Sequence, residues 1–322
     1  MATLVTGGTG FVGIHVMRQL AEHGETVVSL STGGSLDDLA GEFLGKAEER
    51  VVSIKGDVLK LAEIRESLRR YEIKTVVHGA AVTAIGALEK EVPYQAVMVN
   101  VGGSATMLEA SRLEGVRRFL YLSSATIYGS GDPAIPLREE FGVNPRGIYA
   151  ITKRAAEQIV CRYLDLFPME GAILRISTPY GPMERPTGRR ELMSPIFGWC
   201  RAAAAGQEVT LSGDLQRDFT YAADTGKGIV LACEAPRLPR RIYNISSGRN
   251  ISFSEALKIL CSLQPKLRVR YEEVSGDQSF FRDSLRGPLD ITRAREDFGF
   301  VPEYDVERGL RSYLKWLESH AA

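Results

Sequence analysis

The first 180 residues repeat one pattern: a short, nearly continuous apolar run, then a longer stretch whose apolar residues recur every three or four positions. The apolar runs are "ATLVTG", "ETVVSLS", "RVVSIKGD", "KTVVHGAA", "RRFLYLSS" and "GAILRIS". Apolar runs without polar alternation suit strands buried on both faces, as in a parallel sheet. The amphipathic stretches 13–23, 61–71, 97–114 and 149–167 predict helices between them. Strand and helix in alternation predict an α/β fold, a doubly wound parallel Rossmann sheet with right-handed crossovers.

After Ser177 the pattern changes. "TPYGPMERPTGRRELMSP" reads as a long loop, 196–205 as a helix, and "RDFTYAADTGKGIVLACEA" as a strand running into a helix. "RIYNIS" offers one more strand to the main sheet. Residues 252–319 hold three amphipathic segments interrupted by "GDQSFFRDSLRGP". The expected organisation is a large domain over 1–177 that takes chain back near 217–246. A smaller, interleaved C-terminal lobe is expected from 178–216 and 247–322.

Composition narrows the function classes. Of 322 residues, 44% are hydrophobic, enough for a substantial core, and 40 Lys plus Arg balance 40 Asp plus Glu. That balance argues against nucleic acid or a membrane surface as partner. Cys161, Cys200, Cys233 and Cys261 share no metal-ligand spacing, so no metal is expected, and they fit free thiols in a reducing compartment. No apolar run is long enough to span a bilayer, and a strand starting at Thr3 leaves no room for a leader. A soluble cytoplasmic protein is the expectation.

"TGGTGFVGIHVMRQL" joins the first strand to the first helix and carries Gly7, Gly8, Gly10 and Gly13 at phosphate-loop spacing. Such glycines allow a tight turn, close approach of backbone to a pyrophosphate, and close helix–strand packing. The second strand then departs from the NAD pattern. An acid at its end would accept both ribose hydroxyls and repel the extra phosphate of NADP. Here Ser31 and Thr32 take that place, so NAD is favoured only slightly over NADP. Asp57, in "KGDV", can take the adenine amine or cap a helix.

"YAITK" puts Tyr149 and Lys153 on one face of a helix. A lysine cation beside a phenol brings its pKa down from near 10 towards the working range. "LYLSSATIYG" ends a strand with Ser123 and Ser124, at the end of the sheet where ligands bind in open α/β folds. A hydroxyl at Ser124 can hydrogen-bond the same substrate oxygen that Tyr149 protonates or deprotonates.

Taken together, "TGGTGFVG", "GDV", "VVHGAA", "VNVGGSATMLEA", "LSSATIYG", "YAITK", "LRISTPYGP", "RDFTYAADT" and "DFGFVPEYDVERGL" resemble the extended short-chain dehydrogenase/reductase family. Within it they resemble the NAD-dependent epimerase/dehydratase group, from Ala2 to about Trp316. The resemblance implies that Ser124, Tyr149 and Lys153 are the catalytic set. It places Gly7, Gly10, Phe11, Val12, Gly13, Ser31, Thr32, Asp57, Val58, Ala80, Asn100, Tyr149, Lys153 and Ser177 against the dinucleotide. It places Thr83, Ser124, Thr126, Thr178, Arg217, Arg282 and Arg286 against the substrate.

Departures from the family pattern sharpen the reaction. Dehydratases of the group carry an Asp-Glu pair where this chain has Ala125 and Thr126, which argues against dehydration, and Thr126 argues against decarboxylation. Thr178 replaces the asparagine usual in nucleotide-sugar members. The second diphosphate arginine falls on Phe280, with Arg282 or Arg286 as substitutes. Arg185, Arg189 and Arg190 form a further cationic group, readable equally as a solvated loop. The expected function is a sugar epimerase acting by transient hydride removal, at C4 of a nucleotide sugar. The alternatives are a net NAD(P)-dependent sugar or alcohol dehydrogenase of a substrate lacking a nucleotide and, remotely, a non-catalytic dinucleotide-binding protein. The helices 97–114 and 149–167 are expected to pair in a homodimer.

Overall fold

Six of the predicted apolar runs fold as parallel strands in the computed structural model, which describes residues 2–272 and 285–320. They are β1 (Ala2–Thr6), β2 (Thr26–Ser31), β3 (Val51–Lys55), β4 (Ile73–His78), β5 (Arg118–Ser124) and β6 (Glu170–Ile176). A seventh strand, Ile242–Ile245, pairs with β6, as "RIYNIS" predicts. From that strand the order across the sheet is β6, β5, β4, β1, β2, β3. The chain therefore leaves β1 towards one edge and β4 towards the other. The crossover helices diverge there and open a crevice beyond the carboxyl ends of the strands.

Each face of the sheet buries its own apolar cluster. On one face lie α1 (Phe11–Glu22) and the Ala222–Glu234 helix, around Ile14, Met17, Ile229 and Val230. On the other lie Leu61–Arg70, Gly103–Leu113 and Gly147–Leu166, around Ile64, Leu108 and Val160. A third cluster gathers residues beyond Ser177. It joins the helices Pro195–Ala204, Phe253–Leu263 and Val306–Ser319 through Trp199, Phe253, Leu257 and Tyr313.

Three local expectations change. "TPY" begins not a loop but a strand, Thr178–Tyr180, which pairs in parallel with Phe219–Tyr221. Its partner is distant in the chain, so no local pattern announces it. The helix expected from 97 begins at Pro93 and passes through a π-helical turn, Met98–Gly102, before Gly103–Leu113. Asn100 sits in that turn, and its amide grips Val82 N at 2.8 Å and Val82 O at 3.0 Å. Such turns displace one side chain from the helix register. Glu139, whose charge and loop position favour solvent, is buried and accepts from Asn244 N at 2.9 Å.

Candidate active site

Glycine geometry shapes the floor of the crevice. A Cβ on Gly13 would lie 2.2 Å from Gly7 O, and one on Gly7 (φ 71°) would lie 2.9 Å from Ala80 N. Only bare backbone allows β1, α1 and the β4 end to close this tightly. Gly10 precedes α1 without a side-chain cap, so the first N–H groups of the helix face the cavity. The cavity holds about 1540 Å³ and runs from Ser31 and Asp57 past the glycine loop to Tyr149, then on to Arg217 and Arg286.

At its inner end Ser124 terminates β5, and its Oγ accepts from Thr126 N at 3.2 Å and Thr126 Oγ1 at 3.0 Å. Tyr149 and Lys153 come from the Gly147–Leu166 helix. Lys153 is buried, donates to Leu122 O at 2.8 Å, and lies 5.9 Å from the Tyr149 ring centre and 4.8 Å from that of Tyr121. Burial lowers its pKa to about 8, opposed by the Glu157 carboxylate. Burial raises Tyr149 above 10, and the Ser124 hydroxyl, the Arg190 charge and the Thr83 hydroxyl pull it back.

At the outer end Arg217 and Arg286 converge from separate segments. Arg286 donates to Ala125 O at 2.8 Å and Gly129 O at 3.3 Å, on the turn that follows Ser124. Burial and then the charge of Arg217 lower the Arg286 pKa to about 9, against the pull of Asp218. Burial lowers Arg217 to about 10. Two arginines side by side in one cavity repel one another, and an anion between them would relieve that repulsion.

Most of the expected residues share this one cavity. Gly7, Gly10, Phe11, Val12, Gly13, Ser31, Thr32, Asp57, Val58, Ala80, Thr83, Ser124, Thr126, Tyr149, Lys153, Ser177, Thr178, Arg217 and Arg286 all line it. Asn100 lies behind that lining: its amide bonds Val82 and Thr152 Oγ1 (3.0 Å). Arg282 and Phe280 lie outside the described residues. Asp57 caps its own turn through Leu59 N (3.0 Å), not the following helix, whose preceding residue is Lys60.

The arginine-rich loop is not simply a solvated one. Arg185, Arg189 and Arg190 line the cavity. Arg185 pairs with Asp37 at 2.6 Å, Arg189 O accepts from Thr83 N at 2.8 Å, and Arg190 binds Glu184 at 2.7 Å and stacks over Phe11 at 5.1 Å. Three arginines in one Pro- and Gly-rich loop were the only sequence signal for this.

Glycine loop, strand-end hydroxyl and Tyr/Lys helix around one crevice define a dinucleotide-dependent enzyme of the extended short-chain dehydrogenase/reductase class. The chain belongs to the NAD dependent epimerase/dehydratase family, whose model matches residues 3–246. It is 29% identical to a UDP-glucose 4-epimerase of Mycolicibacterium smegmatis over 99% of both chains. It is 27% identical to a UDP-glucuronate 4-epimerase of Thermodesulfobacterium geofontis, over 98% of this chain and 96% of that one. A UDP-glucose-4-epimerase structure from Stenotrophomonas maltophila, with bound NAD and formylated UDP-arabinopyranose, matches 100% of both chains with a TM-score of 0.88 and 26% identity.

Proposed function

We propose that this chain is an NAD-dependent UDP-sugar 4-epimerase, working through Ser124, Tyr149 and Lys153. The observation that carries the reading is the single cavity: a dinucleotide cradle at one end, an acid/base set in the middle, and an arginine pair at the other. NAD fits the cradle, since Gly7, Gly10 and Gly13 leave backbone where a Cβ would obstruct it, and the uncapped α1 terminus offers N–H groups to a pyrophosphate. Phe11, Val12, Asp57, Val58, Ala80 and Ser177 would complete its lining. When bound, NAD supplies a site that takes a hydride from the sugar carbon and returns it.

Tyr149 accepts the C4 hydroxyl proton as that carbon is oxidised and gives it back when the carbon is reduced on its other face. Ser124 holds the same oxygen, with its own orientation set by Thr126. Lys153, fixed on Leu122 O, keeps a positive charge beside the phenol ring. Arg217 and Arg286 would clamp the nucleotide diphosphate, while Thr83, Thr126 and Thr178 would meet the sugar. Ala125 and Thr126 offer no acid or base at neutral pH for loss of water.

The loop arginines support a narrower second reading, a UDP-hexuronate. Arg185 and Arg190, paired with Asp37 and Glu184, add cations to the same cavity that Thr126 and Thr178 line. A panel of UDP-glucose, UDP-glucuronate and their C4 epimers separates the two. Under this proposal Tyr149→Phe loses at least about 10³-fold in kcat yet still releases NAD on denaturation. Undiminished turnover in that variant, or wild-type protein converting none of the panel, overturns the reading.

The two-part division at Ser177 is likewise proposed, on the separate apolar cluster of the C-terminal lobe. So is a homodimer, on the exposed Tyr94, Val97, Met98 and Ile151 of the Pro93–Leu113 and Gly147–Leu166 segments. Light scattering on purified protein tests the dimer. No described helix is long and apolar enough to cross a membrane. The four cysteines are free thiols, which supports the expected cytoplasmic location.

A further inference from the structure

We infer that Arg175, a residue with no contact to the cavity, positions the acid/base pair by tying the Tyr149 helix to the turn that carries Ser124. The inference rests on the reading of Ser124 and Tyr149 given above.

Arg175 lies on β6 and is 1% exposed. Its Nε and Nη2 donate to the two oxygens of Glu157 at 3.0 Å and 2.9 Å, a bidentate fork. Glu157 is fully buried on the Gly147–Leu166 helix, one turn beyond Lys153 and two beyond Tyr149. Half-exposed Arg154 reaches the same carboxylate at 3.0 Å. The remaining nitrogen of Arg175, Nη1, donates to the Tyr128 hydroxyl at 2.9 Å and to Glu139 O at 3.0 Å. Tyr128 closes the short turn Ala125–Tyr128 that Ser124 opens, and its hydroxyl donates onward to Asn244 Oδ1 at 2.9 Å.

One guanidinium therefore holds both bodies that must meet at the substrate oxygen. The fork restrains the helix in translation and rotation, because two parallel hydrogen bonds fix a plane where one fixes only a distance. The Nη1 bond restrains the turn against that same plane. An apolar pair of equal volume would fill the space as well, and buried ion pairs are often no more stabilising than such a replacement. What apolar packing would not supply is register, and catalysis is sensitive to displacements near 1 Å, which can cost about a hundredfold.

Truncating Arg175 would strand the buried Glu157 and risk unfolding, so the decisive variant is Tyr128→Phe. It removes one hydroxyl and leaves Arg175 on Glu157 and Glu139. The expected result is a loss of about tenfold in kcat with KM and retained NAD within about twofold. In a Ser124→Ala background the same change should add less than about twofold, because its effect passes through Ser124. Unchanged kcat in Tyr128→Phe, or losses that simply multiply, would overturn the inference.

A substrate-independent readout separates this inference from the epimerase reading. The ultraviolet titration of Tyr149, taken as the difference from the matching Tyr149→Phe protein, should move up by about half a unit in Tyr128→Phe as the Ser124 hydrogen bond loosens. If wild-type protein converted no UDP-sugar, the function would fall while this titration still judged the positioning. An unmoved titration counts against Arg175 whatever the substrate.

Discussion

Buried Arg175 and the half-buried pair Arg217 and Arg286 flank the turn after Ser124, and they are treated oppositely. On the sheet side, Arg175 meets a matching carboxylate and a tyrosine hydroxyl. Burial alone would lower its pKa, but the Glu157 hydrogen bonds and charge more than offset this and raise it. On the cavity side, Arg286 rests on backbone oxygens with a second cation beside it, and its pKa falls to about 9. The first arrangement is complete within the chain. Under the proposed function a diphosphate would meet the second, and the mutual repulsion of its two cations would then favour binding.

The contrast is breakable by experiment. Arg175→Met should lower the unfolding free energy by about 3 kcal/mol in a denaturant titration, since it leaves buried Glu157 with only the Arg154 cation. A loss under about 1 kcal/mol would mean that the pair does not hold the fold.

Acid probes two further buried groups of the large domain. His15 is buried against Pro182 O at 2.9 Å, and burial lowers its pKa to about 4. Buried His78, between Thr6 and Ser104, is lowered by burial to about 3. The unfolded chain binds protons at these sites from about pH 6.5 downwards while the folded chain does not. Stability is therefore intact above pH 6.5 and falls with pH, by about 3 kcal/mol for His15 alone on reaching pH 4. His15→Gln, which can still donate to Pro182 O, should flatten that fall, and an unaltered pH profile would exclude His15 as its source.

On the cavity side the expected signs reverse. Arg286→Met should leave stability within about 1 kcal/mol, or improve it, yet weaken UDP binding by about 2 kcal/mol in calorimetric titration. A variant both destabilised and normal in UDP affinity would erase the distinction between the two sets.

The smallest effect is expected at the adenosine end. Ser31 now accepts from Gly34 N at 3.1 Å, and Ser31→Asp would place a carboxylate where the ribose hydroxyls are expected. The NAD over NADP preference should rise about tenfold, read as the ratio of dissociation constants. No change would place the ribose elsewhere.

Much of this was readable before folding because it is local. The glycine spacing, the one-turn interval between Tyr149 and Lys153, and the hydroxyl at the end of β5 depend on a few adjacent residues. Unbroken apolar runs mark strands covered on both faces for the same reason. Asn100 shows where local reading stops: it sits in a π-helical turn, and its amide bonds Val82. Glu139 and the arginine loop show it too, since burial and partner choice depend on segments distant in the chain.

The sequence by itself determined the doubly wound sheet, the phosphate loop and the Ser-Tyr-Lys set, whose geometry follows from backbone periods of two and of 3.6 residues. Only the tertiary structure decided that Arg286 stands with Arg217, that Arg185 and Arg190 reach the crevice, and that Arg175 joins the base to its hydroxyl. Those pairings bring together residues far apart along the chain. Their energies depend on exclusion of water and on the distance between charges, and neither exists until the chain has folded.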